Sequence, residues 1–465
     1  FGHTFFSLSL PFQLCSAQPS PTQPRLAYTS AMSAAPARRL FLRHASQLVV
    51  VCSKGQRMLT REGMDSIEVI EDGSIVVDEA GKIEAVWKGD ELDAKYESCA
   101  FEEVVDAKGK SVVPGLVDGH THPVWSGDRV HEFAMKLAGA TYLDIHKAGG
   151  GIGYTVRHTR ESSQAELERL LEGRLDRMLQ QGTTLVEAKS GYGLETETEM
   201  KMLKTLHALK EKGHPVDIVC TFLGAHSVPA GSTAEQATED VITNQLPELL
   251  RLQSRKEVSV DFVDVFHEQG VFHTDETRRI LEAASEAGLK INFHGDELHA
   301  MQSAELAADV NAVAVSHLEK VSDEGVQKMA EKGIFAVLLP TTAYILRLVP
   351  PPARKMIDEG VPVALGSDFN PNAHCMSMPF VMNLACVLMR MTMNEALAAA
   401  TINAAGSVCK SDEYGSLEVG KYGDMLVIDS PRWEHLVYEL IDPPLHAVYK
   451  KGKKVVERGA VVASK

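Results

Sequence analysis

The chain has 465 residues and a formal net charge of −16, from 47 Lys plus Arg against 63 Asp plus Glu. Hydrophobic residues make up 44% and charged residues 24% of the chain, which is typical of a globular protein. Because nucleic acids and anionic membranes bind clustered positive charge, this balance argues against both as main partners. No apolar run reaches the roughly 18 residues of a membrane span.

The seven cysteines indicate a reducing compartment. Their number is odd, their spacing is wide, and no C-x-x-C pair occurs. The sequence therefore predicts neither a disulfide framework nor a cysteine zinc site, and we expect a cytoplasmic protein.

Residues 1–46 are expected to be a disordered leader. Within 1–31 the only Lys, Arg, Asp or Glu is Arg25, and Ser, Thr, Gln and Pro are frequent, a composition that builds no hydrophobic core. Met32 is a sensible start of the protein, with 1–31 as translated upstream sequence, whereas the apolar run 5–14 keeps a targeting segment as the alternative.

Short strand-like segments separated by Gly turns occur near both ends of the remaining chain. We predict that 47–113 and 411–465 pair into one small β-sandwich domain. The strand-like segments that support this prediction are Ser46–Cys52, Ser74–Val77, Ile83–Trp87, Asp424–Asp429, Ala447–Lys450 and Lys454–Val456.

Between these parts, eight apolar runs alternate with amphipathic helical patterns. This alternation over 114–410 predicts an α/β fold, namely a (β/α)8 barrel of the TIM type. The eight predicted strands are Gly115–His120, Thr184–Lys189, Asp217–Leu223, Phe262–Phe266, Lys290–His294, Ala312–Ser316, Phe335–Leu339 and Val361–Gly366. In such a barrel the functional residues follow the C-terminal ends of the strands.

Residue types that ligate metals stand at four of these strand ends. His120 and His122 end the first strand on one side, because alternate residues of a strand point the same way. His294, His317 and Asp368 follow the fifth, sixth and eighth strands. A lone histidine of this kind is more often structural, but this combination suits a divalent transition metal with an open position for water.

Several motifs carry a resemblance to a known family. The run 112–122, together with Gly366-Ser-Asp368, resembles motifs of the amidohydrolase superfamily. The resemblance to this superfamily covers the chain from about residue 47 to the end. Five further segments resemble the imidazolonepropionase family within it: 126–133, 138–143, 189–194, 224–229 and 366–371. The resemblance implies a metal-dependent barrel with a small β-sandwich domain built from both chain ends.

The resemblance implies one Zn²⁺ or Fe ion per subunit, ligated by His120, His122, His294 and Asp368. Related enzymes with two metals bridge them by a Lys at the end of the fourth strand. The corresponding segment here, 266–268, contains no Lys, which favours a single metal. Lys189 follows the second strand, and a structural ion pair is at least as good an interpretation of it as a catalytic role.

Four residues are expected to carry the chemistry. Asp368 would accept a proton from water and pass it to the departing nitrogen. Glu297 would contact the substrate ring and shuttle protons, and His317 would orient the water or the developing oxyanion. His226 would polarise the ring carbonyl. The alternatives are a surface acid for Glu297 and structural histidines for the other two.

The reaction implied is hydrolysis of the cyclic amide C–N bond of 4-imidazolone-5-propanoate to N-formimino-L-glutamate, in histidine degradation. The carboxylate tail of this small molecule needs a cation with a planar fork, and Arg129 supplies one, unless it only forms a surface salt bridge. The other expected substrate contacts are Tyr192, Tyr142, His226, Glu297, Asn370, Asn372 and the backbone N–H of Ala373.

Two other functions stay open. The His294-x-x-Glu297 pattern with His317 and Asp368 also suits a zinc-dependent deaminase of purines or pyrimidines, although a neutral base has no carboxylate for Arg129 to bind. A non-catalytic amidohydrolase-like scaffold ranks last, because all four metal ligands are present. A homodimer is suggested by the family resemblance alone.

Overall fold

The computed structural model describes residues 37–139 and 149–462. The strands, numbered in chain order, are β1 (Arg38–Val51), β2 (Glu68–Val77), β3 (Ile83–Lys88), β4 (Phe101–Asp106), β5 (Ser111–Pro114), β6 (Leu116–Thr121), β7 (Thr183–Lys189), β8 (Asp217–Ala225), β9 (Phe262–His267), β10 (Lys290–Gly295), β11 (Ala314–His317), β12 (Phe335–Leu338), β13 (Val363–Leu365), β14 (Met425–Ile428), β15 (Leu445–Lys450), β16 (Lys453–Glu457) and β17 (Ala460–Val461).

The helices of the described ranges follow the same convention. They are α1 (Glu62–Asp65), α2 (Gly89–Tyr96), α3 (Val130–Leu137), α4 (Ile152–Glu161), α5 (Gln164–Gln180), α6 (Thr196–Glu211), α7 (Ala234–Asp240), a π-helical turn (Val241–Gln245), α8 (Leu246–Ser254), α9 (Thr274–Glu286), α10 (Ser303–Asp309), α11 (Asp323–Lys332), α12 (Pro340–Leu346), α13 (Ala353–Glu359), α14 (Met378–Met389), α15 (Met393–Ala399), α16 (Ile402–Ser407) and α17 (His435–Tyr438). Among these described helices, none combines the length and apolar character needed to cross a bilayer.

Nine strands from the two ends of the chain form one mixed sheet, in the order β17-β16-β15-β14-β5-β1-β2-β3, with β4 also paired to β1. The antiparallel pairing of β5 with β14 joins the N-terminal and C-terminal parts. Side chains of both parts, among them Leu42, Val112, Val427 and Tyr449, share one buried cluster.

The first strand corrects the expected extent of the leader. It begins at Arg38, so residues 38–46 belong to the sheet, whereas 1–36 lie outside the described residues. Leu40 and Leu42 of this segment are fully buried. The charged residues around them obscure the strand pattern in the sequence, but Arg38 pairs with Glu84 and Arg43 with Asp93.

The (β/α)8 barrel is confirmed. The eight strands β6 to β13 lie side by side in chain order, each pair is parallel, and they coincide with the eight predicted runs within a few residues. A parallel bridge between Thr121 and Phe369 closes the ring between its first and last strands. Helices cover the outside of the strands, so nearly every strand residue is buried, and this explains the continuous apolar runs.

One glycine allows the two edges of the ring to meet beside the predicted metal ligands. A Cβ atom at Gly366 would lie 2.8 Å from Cβ and 2.9 Å from the backbone nitrogen of His120. No side chain fits this space, so the turn that carries Asp368 can approach His120 only with glycine at this position.

Candidate active site

The four predicted metal ligands converge at the C-terminal ends of the barrel strands. The Nε2 atom of His122 lies 3.2 Å from the Nε2 atoms of both His120 and His294. Oδ1 of Asp368 lies 3.5 Å from Nε2 of His120 and 3.4 Å from Nε2 of His122. All four residues are at most 4% exposed, so their side chains are shielded from water.

A buried carboxylate fixes the ring of His294. Oδ1 of Asp264 accepts hydrogen bonds from Nδ1 of His294 at 2.9 Å and from its backbone N–H at 3.0 Å. Since Nδ1 carries the proton, Nε2 of the neutral ring presents a lone pair. Burial lowers the pKa of His294 to about 4, although the charge of Asp264 opposes the shift, and the ring is therefore neutral at pH 7.

Asp264 is itself held by a buried lysine. Nζ of Lys189 lies 2.8 Å from Oδ2 of Asp264 and 2.7 Å from Oε1 of Glu187. The side chains of all three are at most 1% exposed. Lys189 thus lies in a structural ion pair, and through Asp264 it also supports the position of His294.

The cluster of imidazoles fits a metal ion. Nδ1 of His120 lies 2.8 Å from the hydroxyl of Ser316, burial lowers the pKa of His120 well below its ordinary value, and its Nε2 faces the Nε2 atoms of neighbouring rings. Two unprotonated nitrogens form no hydrogen bond with each other. A cation shared by the converging nitrogens and Asp368 satisfies all of them, and three imidazoles with one carboxylate suit a divalent transition metal.

The turn after β13 places Asp368 as a charged side chain beside the imidazoles. Its φ of 48° lies in the left-handed region, which Asp tolerates better than most residues. Its backbone N–H donates to the carbonyl of His120, and Thr342 donates to its Oδ2. Burial alone would raise the pKa of Asp368, but the interactions with His122, His317 and Thr342 outweigh it and hold the pKa below its ordinary range.

Glu297 and His317 face each other beside the ligands. Oε2 of Glu297 lies 3.6 Å from Nε2 of His317, and Glu319 lies behind the ring, 3.8 Å from Nδ1. Burial raises the pKa of Glu297 to about 8, against the influence of His317. Burial lowers the pKa of His317, but Glu297, Glu319 and Asp368 outweigh it and raise the pKa above its ordinary value. The pair can hold a proton close to the reacting centre.

His226 stacks on His122 with ring centroids 4.9 Å apart, but the N–H of its ring is used by the backbone of Gly191. Its Nδ1 lies 2.9 Å from the carbonyl oxygen of Gly191. A carbonyl only accepts, so Nδ1 is the donor and Nε2 of the neutral ring is an acceptor. Burial lowers the pKa of His226 well below its ordinary value. The expected donation from His226 to a substrate carbonyl therefore disagrees with this geometry.

A cavity of about 830 Å³ opens above the ligands. Its walls include most of the predicted substrate contacts, namely Arg129, Tyr192, His226, Glu297, Asn370 and Asn372. Tyr192 is 2% exposed and its ring centroid lies 5.2 Å from that of His226. Tyr142 lies outside the described residues.

The predicted contact between the Ala373 backbone N–H and the substrate is wrong. Its N–H donates to Oδ1 of Asn370 at 3.0 Å, and the N–H of Asn372 donates to the same oxygen. This turn uses the N–H within the loop, so it is not presented to a ligand. Nδ2 of Asn370 donates to the carbonyl of Asp368. Asn370 accordingly shapes the loop 368–373, called the ligand loop below because it carries Asp368.

Some residues of the site were missed by sequence reasoning. Asp264 stands in the middle of β9, and a charged residue inside an apolar strand was the available signal. Lys136 lines the cavity from α3 but sits in a helical segment that reads as an ordinary solvated surface. Thr342 reaches the site from the first turn of α12 and Glu319 from the turn after β11, and neither segment carried a motif.

Comparison with known proteins gives a consistent assignment. Residues 111–455 match the model of the amidohydrolase family. A relative from Nematostella vectensis is 55% identical over 90% of this chain and 100% of its own length, and one from Dictyostelium discoideum is 59% identical over 90% and 98%. A relative from Homo sapiens is 57% identical over 86% and 94%. All three bear the name "Probable imidazolonepropionase".

Solved structures share the fold at low identity. An adenosine deaminase from Xanthomonas campestris with bound zinc is 17% identical, with a TM-score of 0.65 over 92% of this chain and 96% of its own. A zinc complex of atrazine chlorohydrolase from Arthrobacter aurescens is 15% identical, with a TM-score of 0.69 over 92% and 97%. The site geometry, the family model and the full-length relatives agree, and the chain belongs to the imidazolonepropionase family of the amidohydrolase superfamily.

Proposed function

We propose that this hydrolase opens the ring of 4-imidazolone-5-propanoate to N-formimino-L-glutamate in histidine degradation. The observation that carries the proposal is a cluster of three imidazoles with Asp368 beside a cavity whose walls also hold the cations Arg129 and Lys136. The substrate has matching parts, since its cyclic amide needs activated water and its tail carries one carboxylate. The names of the full-length relatives support the same reaction.

We propose that one Zn²⁺ or Fe ion per subunit is held by His120, His122, His294 and Asp368. When bound, such an ion polarises a carbonyl and lowers the pKa of a coordinated water. The C-terminal end of β9 supports a single ion, because the ring of His267 is hydrogen-bonded to Ser303 and Thr274. In the same segment, Glu268 accepts from His299 and from nearby backbone.

The residues around these ligands divide the proton transfers. Asp368 is ionised and accepts one proton from the attacking water as oxygen bonds to the ring carbonyl carbon. Glu297, with His317 beside it, delivers a proton to the ring nitrogen as the C–N bond breaks. One water is consumed, and its oxygen ends in the new carboxylate, whose acidic proton leaves to solvent. Asp368 passes the proton it accepted to the Glu297–His317 pair, which replaces the proton that Glu297 gave to the departing nitrogen.

The remaining residues orient the substrate. His226 accepts a hydrogen bond from a ring N–H through its unprotonated Nε2, and Tyr192 contacts the ring from the β7 loop. Arg129 binds the carboxylate tail, Asn370 shapes the loop that carries Asp368, and Tyr142 is a further proposed contact.

We also propose the setting in which the enzyme works. The barrel spans 114–410, and the β-sandwich domain comprises the N-terminal part up to 113, extended to start at Arg38, with 411–465. The enzyme is cytoplasmic, acts on a small molecule and forms a homodimer.

A deaminase of purines or pyrimidines is the second candidate, because Glu297, His317 and Asp368 meet beside His294 as that reaction also requires. The cations at the cavity rim favour a substrate with a carboxylate instead. A scaffold without activity fits the intact ligand set least well.

The test is loss of the ultraviolet absorbance of 4-imidazolone-5-propanoate on addition of metal-analysed protein. Turnover should vanish on chelation and return with one equivalent of Zn²⁺ or Fe. If protein that retains one ion shows no turnover, the substrate is wrong, and ammonia release from purines and pyrimidines then tests the second candidate.

A further inference from the structure

The guanidinium of Arg129 is largely used within the protein. Its Nε lies 3.0 Å from Oε1 and its Nη2 lies 2.7 Å from Oε2 of Glu132. The two side chains are only 7% and 2% exposed, and Oε1 of Glu132 also accepts from the N–H of Gly151. The pair is electrically neutral and leaves only Nη1 of the fork without a bond to Glu132.

Lys136 adds one positive charge to the same part of the cavity wall. It lies one helical turn beyond Glu132 on α3, so the two share a face of that helix. Its Nζ donates to Oδ1 of Asn372 on the ligand loop. Among the residues that the structure describes, no carboxylate lies within salt-bridge distance of Lys136, and Glu132 is its acidic neighbour.

The charges at this wall sum to one excess cation. Arg129 and Lys136 contribute two positive charges and Glu132 one negative charge. Burial and the nearby Arg129 lower the pKa of Lys136, which shows the cost of an ammonium here without an anion. A single carboxylate would complete the balance, and the ammonium has two further N–H donors after its bond to Asn372.

We infer that Lys136, held by Asn372, is a specificity-determining residue that binds the substrate carboxylate together with Nη1 of Arg129. The inference rests on the proposed function and deepens it. A wall made only of the neutral Arg129–Glu132 pair would discriminate weakly between an acid and its amide. Lys136 makes the site select a ligand with a negatively charged tail.

The first test compares Lys136→Met, Lys136→Arg and the wild type on the substrate and on its carboxamide. A hydrogen bond to a charged group contributes about 1.5–3 kcal/mol. Lys136→Met should therefore raise KM for the acid by about 10–100-fold, with little change in kcat or in kinetics on the carboxamide. Lys136→Arg should restore much of the loss. Lys328→Met, which breaks an exposed pair with Glu324 on α11, is the matched control.

A binding measurement separates this inference from the proposed reaction. Imidazole-4-propanoate has the ring and the carboxylate but no amide to hydrolyse, and its affinity for the metal-loaded protein can be measured by calorimetry. Tight binding by the wild type and the Lys328 variant, with about 10–100-fold weaker binding by Lys136→Met, supports the inference even if turnover fails. Equal affinity of Lys136→Met and wild type, no binding to either, or an equal loss for acid and carboxamide overturns it.

Discussion

Asp264 accepts two hydrogen bonds from His294 through a single oxygen, one from Nδ1 and one from the backbone N–H. The two contacts fix both the position of the strand residue and the tautomer of its ring. Because the other oxygen of Asp264 binds Lys189, the carboxylate cannot rotate away without breaking a buried ion pair. The lone pair on Nε2 is thereby aimed at the other ligands.

Asp264→Asn should weaken metal binding by about 10–100-fold, as loss of such a supporting hydrogen bond does in other metal sites. Competition with a chromophoric chelator measures the affinity. Asp261→Asn is the matched control, because that carboxylate accepts from the backbone of Cys220 away from the ligands. Unchanged affinity in Asp264→Asn would show that the ring of His294 needs no such support.

Lys189→Met should destabilise the fold by about 3–5 kcal/mol, since it leaves Glu187 and Asp264 as unpaired buried acids. Urea unfolding measures the free energy. Lys212→Met, which breaks an exposed pair with Glu168, should cost less than about 1 kcal/mol. A loss of similar size in both variants would contradict the assigned role of the buried pair.

His267 should make the fold sensitive to mild acid. Burial lowers its pKa to about 4, so the fold favours the neutral ring, while the unfolded chain titrates near about 6.5. Above the unfolded pKa the ring is neutral in both states and no stability is lost. As the pH falls from about 6.5 towards 4, the unfolded chain binds the proton first, so the free energy of unfolding decreases. Between pH 7 and pH 5 this decrease amounts to about 2 kcal/mol.

The measurement is the free energy of unfolding of the wild type and His267→Gln at both pH values. The variant should lose less stability on acidification, because the other titrating groups are the same in both proteins. His131→Gln changes an exposed histidine away from His267 and should behave as the wild type. If His267→Gln shows the wild-type pH dependence, His267 does not contribute to it.

Arg129→Ala should raise KM for the substrate far more than it changes metal content. The variant leaves Glu132 buried without its partner, so a second protein with Glu132→Gln added relieves the unpaired charge. Both proteins should bind the ion normally and the substrate poorly. Wild-type kinetics in the double variant would remove Arg129 from the tail-binding site.

The barrel, and the convergence of the four side chains proposed as metal ligands, were predictable because their signals are local. Strands covered on both faces give continuous apolar runs, and His120, His122, His294 and Asp368 follow those runs directly. The predicted start of the β domain was wrong, because charged residues interrupt the apolar pattern of β1. These residues form ion pairs with other parts of the β domain.

The finer roles depended on contacts that no spacing reveals. His226 is an acceptor because of one carbonyl, that of Gly191, which lies 35 positions away in the chain. The N–H of Ala373 is used by Asn370, and Lys136 gains its meaning only from the pairing of Arg129 with Glu132. All three roles depend on which group in the folded protein is paired with which partner.

The four proposed metal ligands lie around the seam where the first and last barrel strands meet. His120 lies in β6 and His122 directly follows it, whereas Asp368 follows β13. Oδ1 of Asp118 accepts a hydrogen bond from the backbone N–H of Ser367, 249 positions further along the chain. The full donor set therefore exists only in a chain whose barrel has closed. Ion uptake should lag behind ring closure during folding, and a mature chain stripped of its ion should loosen first along this seam.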